Sequence, residues 1–182
     1  HAALWAVIAL ARLGLGDEAM ELFHMINPIN HARTPHGLDR YLVEPYVVAA
    51  DLYAHQMHVG RGGWTWYTGS AGWMYQAAIE ALLGLRRSRA SFSIDPCVPA
   101  MWSDYSIDWR DGRTLYRIVV ANPGHRAGGV GSAAIDGVAV DPRAIPLIDD
   151  GGIHDVVVVI GKRAPIEAQA AAVAVERTES AG

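Results

Sequence analysis

Cysteine is almost missing from this sequence: Cys97 is the single one, which excludes an internal disulfide and suits a reducing compartment. Positive charge is also scarce. The formal net charge is -4, and a general nucleic-acid binder needs clustered Lys and Arg to neutralise phosphate backbones, so no nucleic-acid partner is expected. No apolar run approaches the ~20 residues that a bilayer-spanning helix requires. A secretory leader is not seen either: position 1 is His, and the stretch behind it reads as buried helix. That start, in mid-helix, leads to the expectation of a fragment. Metal-site patterns are absent as well. His1, His24, His31, His36, His55 and His58 show neither the HExxH arrangement nor the spacing of structural zinc, so no metal is expected.

What is present is a globular composition, 51% apolar and 19% charged over 182 residues. Its texture changes near residue 90. Ala2–Leu13 is apolar nearly all round and predicts a buried helix stopped by Gly14 and Gly16. Asp17–Ile26 predicts a second helix, with Asp17 and Glu18 at its positive end and Asn27-Pro28 closing it. The short link between the two suggests an antiparallel pair. Asp39–Ala54 holds another apolar segment, in which Pro45 must start or kink a helix. In Ser70–Leu85, Met74, Ala77, Ala78, Ala81, Leu82 and Leu85 recur at helical spacing. Helices this apolar cannot close a core by themselves and belong inside a larger helical assembly.

After Arg89 the pattern is one of short strands. Ser91–Ile94, Ser106–Trp109, Thr114–Ala121, Val130–Ile135 and His154–Ile160 are β-like, and Asp111-Gly112 and Asp136-Gly137 are hairpin signals. This predicts a small antiparallel β-sandwich. The domain expectation is residues 1–89 helical, 90–162 β-sandwich, and 163–182 a frayed helix or disordered tail.

One stretch carries chemistry. Gly60–Trp73 reads GRGGWTWYTGSAGW. Gly60, Gly62 and Gly63 let the backbone run close to something, and Trp64, Trp66, Tyr67 and Trp73 crowd aromatic faces together. Thr68-Gly69-Ser70 then opens a helix, whose free N–H groups and partial positive charge suit an oxyanion. Aromatic rings suit the C–H faces of pyranose sugars, so phosphate beside carbohydrate is the economical combination. The plainer alternative is that Thr68 or Ser70 caps the helix and the Trp residues are core. Glu44, between Val43 and Pro45, is a carboxylate that needs a hydrogen-bond partner, either a sugar hydroxyl or the start of a following helix. Asp51 is similar, and Asp149 and Asp150 read as turn residues.

VEPYVVAADLYAHQMHVGRGGWTWYTGSAGWMYQAAIEALLGL resembles the C-terminal part of the catalytic barrel of glycoside hydrolase family 94, and LFHMINPINHARTP resembles that family's β-1,2-glucan branch, the cyclic glucan synthases. SFSIDPCVPAMW is similar to the family's junction to its C-terminal β-domain. The resemblance implies an α+β chain, part of an (α/α)6 barrel followed by a jelly-roll-like sandwich. It implies inverting phosphorolysis of a β-glucan oligosaccharide, with inorganic phosphate as co-substrate and no cofactor. On the matching residues, His1, Thr68 and Gly69 would bind phosphate, and Glu44, Trp64, Trp66 and Tyr67 would bind sugar. The family's catalytic Asp, in a DWND-type motif, has no counterpart here, and Arg61 does not stand in for its phosphate-binding Arg. The resemblance therefore implies a segment inactive alone, completed by the remainder of a parent polypeptide. That parent would be cytoplasmic, or associated with the cytoplasmic membrane if it is a glucan synthase, with a homodimer possible among relatives. A non-catalytic carbohydrate-binding or scaffolding module is the alternative.

Overall fold

The computed structural model describes residues 1–162; the tail expected to fray, 163–182, lies outside the described residues. The chain divides into two compact units, His1–Leu82 and the part from Leu83 onward.

In the first unit, helix α1 spans Ala2–Arg12 and buries Leu4, Val7 and Ala11, three to four residues apart on one stripe. It ends at Gly14, whose φ of 78° lets Leu15 N–H reach back to Leu10 O. Helix α2, Gly16–Ile26, carries Asp17 and Glu18 in its first turn and packs on α1. Asn27 then accepts from Ile29 N–H and starts α3, Pro28–His31. Thr34 caps α4, Pro35–Tyr41, by accepting from Gly37 N–H at 3.0 Å.

The helix expected within Asp39–Ala54 does not form. Helix α4 stops at Tyr41, Leu42 turns left-handed (φ 52°), and the chain stays irregular past Pro45. Pro45 lacks an N–H and disfavours helical geometry at Glu44, so nothing propagates a helix through this stretch. Residues 50–53 instead pair with 61–64, through the bridge Leu52–Gly62 and the bonds Ala50 N to Trp64 O and Tyr53 N to Arg61 O. The helix expected over Ser70–Leu85 begins earlier, at Thr68: α5 runs Thr68–Gln76 and continues as a π-helical turn, Ala77–Leu82, that buries Ala77, Ala81 and Leu82. No helix among the described residues is long and apolar enough to cross a membrane.

The second unit holds two sheets. Strands β1 (Leu85–Arg87), β2 (Ser91–Ile94) and β7 (Ile145–Pro146) form one, in the order β1-β2-β7. Strands β3 (Asp104–Asp111), β4 (Thr114–Ala121), β5 (Val130–Ile135), β6 (Val138–Val140) and β8 (Ile153–Ile160) form the other, in the order β3-β4-β8-β5-β6. The expected purely antiparallel sandwich is corrected at one place: β8 inserts between β4 and β5 and runs parallel to β4. A parallel partner cannot be joined by a tight turn, and β5 to β7 supply the long connection. Both Asp-Gly signals are hairpin turns. Asp136 (φ 50°) and Gly137 (φ 78°) are both left-handed, as a type I′ turn demands. Alternation along β4 and β8 buries Tyr116, Ile118 and Val120 with Val156, Val158 and Ile160. Phe92 of the smaller sheet meets Trp109 and Tyr116 edge-on, each at 5.1 Å. The β5–β6 turn is tied to β8 by His154, whose ring nitrogens reach Asp136 at 2.6 Å and Asp150 at 3.3 Å.

Candidate functional site

The Gly-rich loop is built onto its own chain. Gly62 N–H donates to Tyr41 O and Gly63 N–H to Asp51 O, both at 2.9 Å. A Cβ on Gly62 would sit 2.3 Å from Val43 Cγ2 and 3.1 Å from Tyr41 Cε2; one on Gly63 would sit 2.0 Å from Asp51 Oδ1. Close approach is what these glycines permit, as expected, but what they approach is residues 41–53 of the same unit. Gly60, at φ 83°, makes the turn into the loop.

Helix α5 starts without a cap. Tyr67 holds the cap position and makes no side-chain cap bond; Thr68 is the first helical residue, exposed, and Ser70 the third. The capping alternative for Thr68 and Ser70 is thereby set aside. Ser70 Oγ is fully buried and has no hydrogen-bond partner. The first-turn N–H groups and the positive end of the helix dipole thus lie at a helix start whose first residue, Thr68, is exposed.

His1 comes to the same place. A Cβ on Gly69 would meet His1 Cε1 and Nδ1 at 3.6 Å, so the ring lies in contact range of that backbone. Its ring is held by Trp5, one helical turn on, at 5.1 Å, by Tyr67 at 5.9 Å and by Trp73 at 6.1 Å; Trp5 and Trp73 meet edge-on at 5.7 Å. Trp64 extends the group through Tyr67, at 6.2 Å. A cavity of about 170 Å³ is lined by His1 with Leu4, Tyr41, Asp51, Leu52 and Met74, but not by Thr68 or Gly69. Burial raises the pKa of the Tyr41 phenol in its wall.

Glu44 and Trp66 form a second group. Trp66 Nε1–H donates to Glu44 Oε1 at 3.2 Å, and Tyr46 stands edge-on to Trp66 at 6.3 Å. The next helical turn, Gln56–His58, starts too far along the chain for Glu44 to cap it. Of the other histidines singled out, His31 stacks on Tyr41 at 4.9 Å and bonds Met25 O, while His55 bonds Met57 N–H. Among the described residues no group of three His, Cys, Asp or Glu is placed to hold a metal. Trp5 and Tyr46 were not singled out by sequence. The signal for Trp5 is its i+4 spacing from His1 on one helix face. Tyr46 carries none, because its partner lies across an irregular loop.

The profile of the glycosyl hydrolase 94 superfamily catalytic domain matches residues 1–84, the stretch that contains every one of these groups. This chain belongs to that superfamily. It is 47% identical over 121 residues to the cyclic beta-(1,2)-glucan synthase NdvB of Rhizobium meliloti (strain 1021), covering 66% of this chain and 4% of that protein. It is 38% identical over 165 residues to the N,N'-diacetylchitobiose phosphorylase of Vibrio furnissii, covering 88% of this chain and 20% of the relative. To the 3-O-beta-D-glucopyranosyl-beta-D-glucuronide phosphorylase of Paenibacillus borealis it is 30% identical over 148 residues, 80% of this chain and 19% of that one. The family 94 chain thus spans at most a fifth of the length of these relatives.

Proposed function

We propose that this family 94 chain forms one wall of the active site of an inverting β-glucan phosphorylase-type enzyme, its helices belonging to an (α/α)6 barrel and residues 90–162 to the following β-domain. Inorganic phosphate sits at the start of α5, taking hydrogen bonds from the Thr68 hydroxyl, the Gly69 backbone and His1. It attacks the anomeric carbon of a β-1,2-glucoside. The glycosidic C–O bond breaks, its oxygen takes a proton from an Asp outside these 182 residues, and α-glucose 1-phosphate leaves with inverted configuration. Phosphate is already an anion and needs no base, which fits a helix end that offers donors. The sugar rests on Trp64, Trp66 and Tyr67. Without the acid, the chain alone is inactive.

The observation that carries this reading is the uncapped end of α5 against the His1 ring. The test is phosphorolysis by the full-length protein with β-1,2-glucan oligosaccharides. Thr68→Ala removes one charge-assisted hydrogen bond and raises KM for phosphate about ten- to a hundred-fold. An unchanged phosphate KM, or free glucose as the product, refutes it. The exposed Trp64 and Trp66 favour one second reading, a carbohydrate-binding module. Such a module binds glucan equally with and without phosphate, which calorimetry distinguishes.

A further inference from the structure

His154 is buried, and three parts of the second unit meet at its ring. Nδ1 lies 2.6 Å from Asp136 Oδ2 in the β5–β6 turn, and Nε2 lies 3.3 Å from Asp150 Oδ1 in the loop between β7 and β8. The ring packs on Tyr116 of β4, with centroids 5.7 Å apart. An ionised carboxylate only accepts, so both ring nitrogens must donate if both contacts are hydrogen bonds. Neutral imidazole has one N–H and one lone pair. Only imidazolium serves both sides. The other charged groups nearby do not replace that proton. Asp155, next on β8, gives its backbone N–H to Asp136 Oδ1 at 3.0 Å, and Asp149, beside Asp150, stands 3.9 Å from Arg113 Nη2 of the β3–β4 turn.

We propose that His154 is a proton-operated fastener of the β7–β8 loop: its imidazolium ties residues 149–152 to the β5–β6 turn, and its deprotonation frees the loop while the turn stays in place. The two sides are unequal, which decides the one that lets go. Asp136 is the closer partner, and its second oxygen is already fixed by Asp155 N–H. The one remaining N–H therefore stays on Asp136, and the Nε2 lone pair is left facing the Asp150 carboxylate. Two acceptors repel, so Asp150 withdraws. The loop keeps its ties from Gly151 N–H to Thr114 Oγ1 at 3.0 Å and from Ile148 N–H to the Tyr116 hydroxyl at 2.6 Å. It loosens at its tip and does not detach. Nothing in this device depends on the phosphorylase reading.

The test is hydrogen exchange of the full-length protein, read by mass spectrometry from about pH 5 to about pH 9 with rates normalised to the unfolded chain. Protection of residues 147–153 falls about three- to ten-fold in a single step, while 133–139 and 116–121 hold. That step lies above the ordinary His value of about 6.5, because Asp136, and then Asp150, hold the proton. Asp136→Asn gives the sharper result. Its amide oxygen accepts from Asp155 N–H, its NH2 donates to Nδ1, and neutral His154 then donates Nε2–H to Asp150. Every partner is satisfied without the extra proton, so this variant keeps the loop protected at alkaline pH. His154→Asn loosens the loop at every pH and abolishes the step. Level protection of 147–153 in the parent protein, or an alkaline loss in Asp136→Asn equal to the parent's, overturns the proposal. So does a loss shared by 116–121, which is unfolding of the sheet, or one confined to 133–139, which frees the turn instead of the loop.

Discussion

Gly62→Ala separates a structural glycine from a ligand-approach glycine. The added Cβ would lie 2.3 Å from Val43 Cγ2 and 3.1 Å from Tyr41 Cε2. Both neighbours are buried, Tyr41 at 2% and Val43 at 9% exposure, in the small cluster that also holds Val47. Neither can swing into solvent, so the cost is that of overpacking a filled core, about 1–3 kcal/mol. For a chain of 182 residues each kcal/mol lowers Tm by about 2–4 °C. The assay is thermal unfolding followed by tryptophan fluorescence, which reports the Trp-rich first unit. Val43→Ala removes the clashing methyl, so the double variant should lose less than the sum of the two singles. The contrast is Gly63→Ala, where the first obstacle is the carboxylate of exposed Asp51, free to rotate away, and the loss is smaller. A Tm for Gly62→Ala within about a degree of the parent protein, well under the shift expected of overpacking, refutes the packing argument if sugar or phosphate binding is lost with it. Gly62 would then be small for the ligand's sake.

The second unit should show a stability maximum in mildly acidic solution. The hydrogen bond to Asp136, with Asp150 beside it, raises the His154 pKa, so this contribution is complete below the ordinary His value of about 6.5 and is lost as pH rises through the raised one. The His154 bond lowers Asp136, while Gly152 N–H and then His154 lower Asp150, so their contribution holds above the usual Asp range and is lost as pH falls through the lowered values. Both carboxylates are about half exposed, which screens the effect to a modest size. His154→Asn should flatten the alkaline limb of Tm against pH, and an unchanged profile counts against the cluster. Tyr116→Phe removes a buried hydroxyl that accepts from Ile148 N–H at 2.6 Å and donates to Ile148 O at 3.1 Å. The orphaned amide should cost about 1–3 kcal/mol in denaturant unfolding, and a loss below about 0.5 kcal/mol shows that the loop re-pairs. His1→Ala should raise the phosphate KM of the full-length protein about ten-fold with glucan affinity in the absence of phosphate retained; equal losses in both would make His1 a support for the aromatic wall alone.

Much of the secondary structure is local and was legible in the residues. β4 follows from a run rich in β-branched residues, β2 and β5 from short segments between turn signals, and the type I′ turn follows from Asp136-Gly137, because only such residues take two left-handed conformations in succession. Helix α1 follows from its apolar run and from Gly14, but the expectation that it is buried all round is corrected: only the Leu4, Val7 and Ala11 stripe is buried, and Trp5 is exposed. Local signals failed where the partner lies far along the chain. Nothing in VEPYVVAADLYA shows that residues 50–53 will pair with 61–64, and apolar periodicity before and after Pro45 cannot be told from a helix. Nor does His154–Ile160 reveal that it will enter between β4 and β5, since strand order is settled by which pairing buries both faces. The site divides the same way. A glycine run announces that the backbone must come close to something, and an aromatic run that rings will gather. That Gly62 and Gly63 approach Val43 and Asp51, that His1 arrives beside Gly69, and that Glu44 holds an indole are decided only by the tertiary structure, which brings together residues too distant in sequence for any local preference to couple.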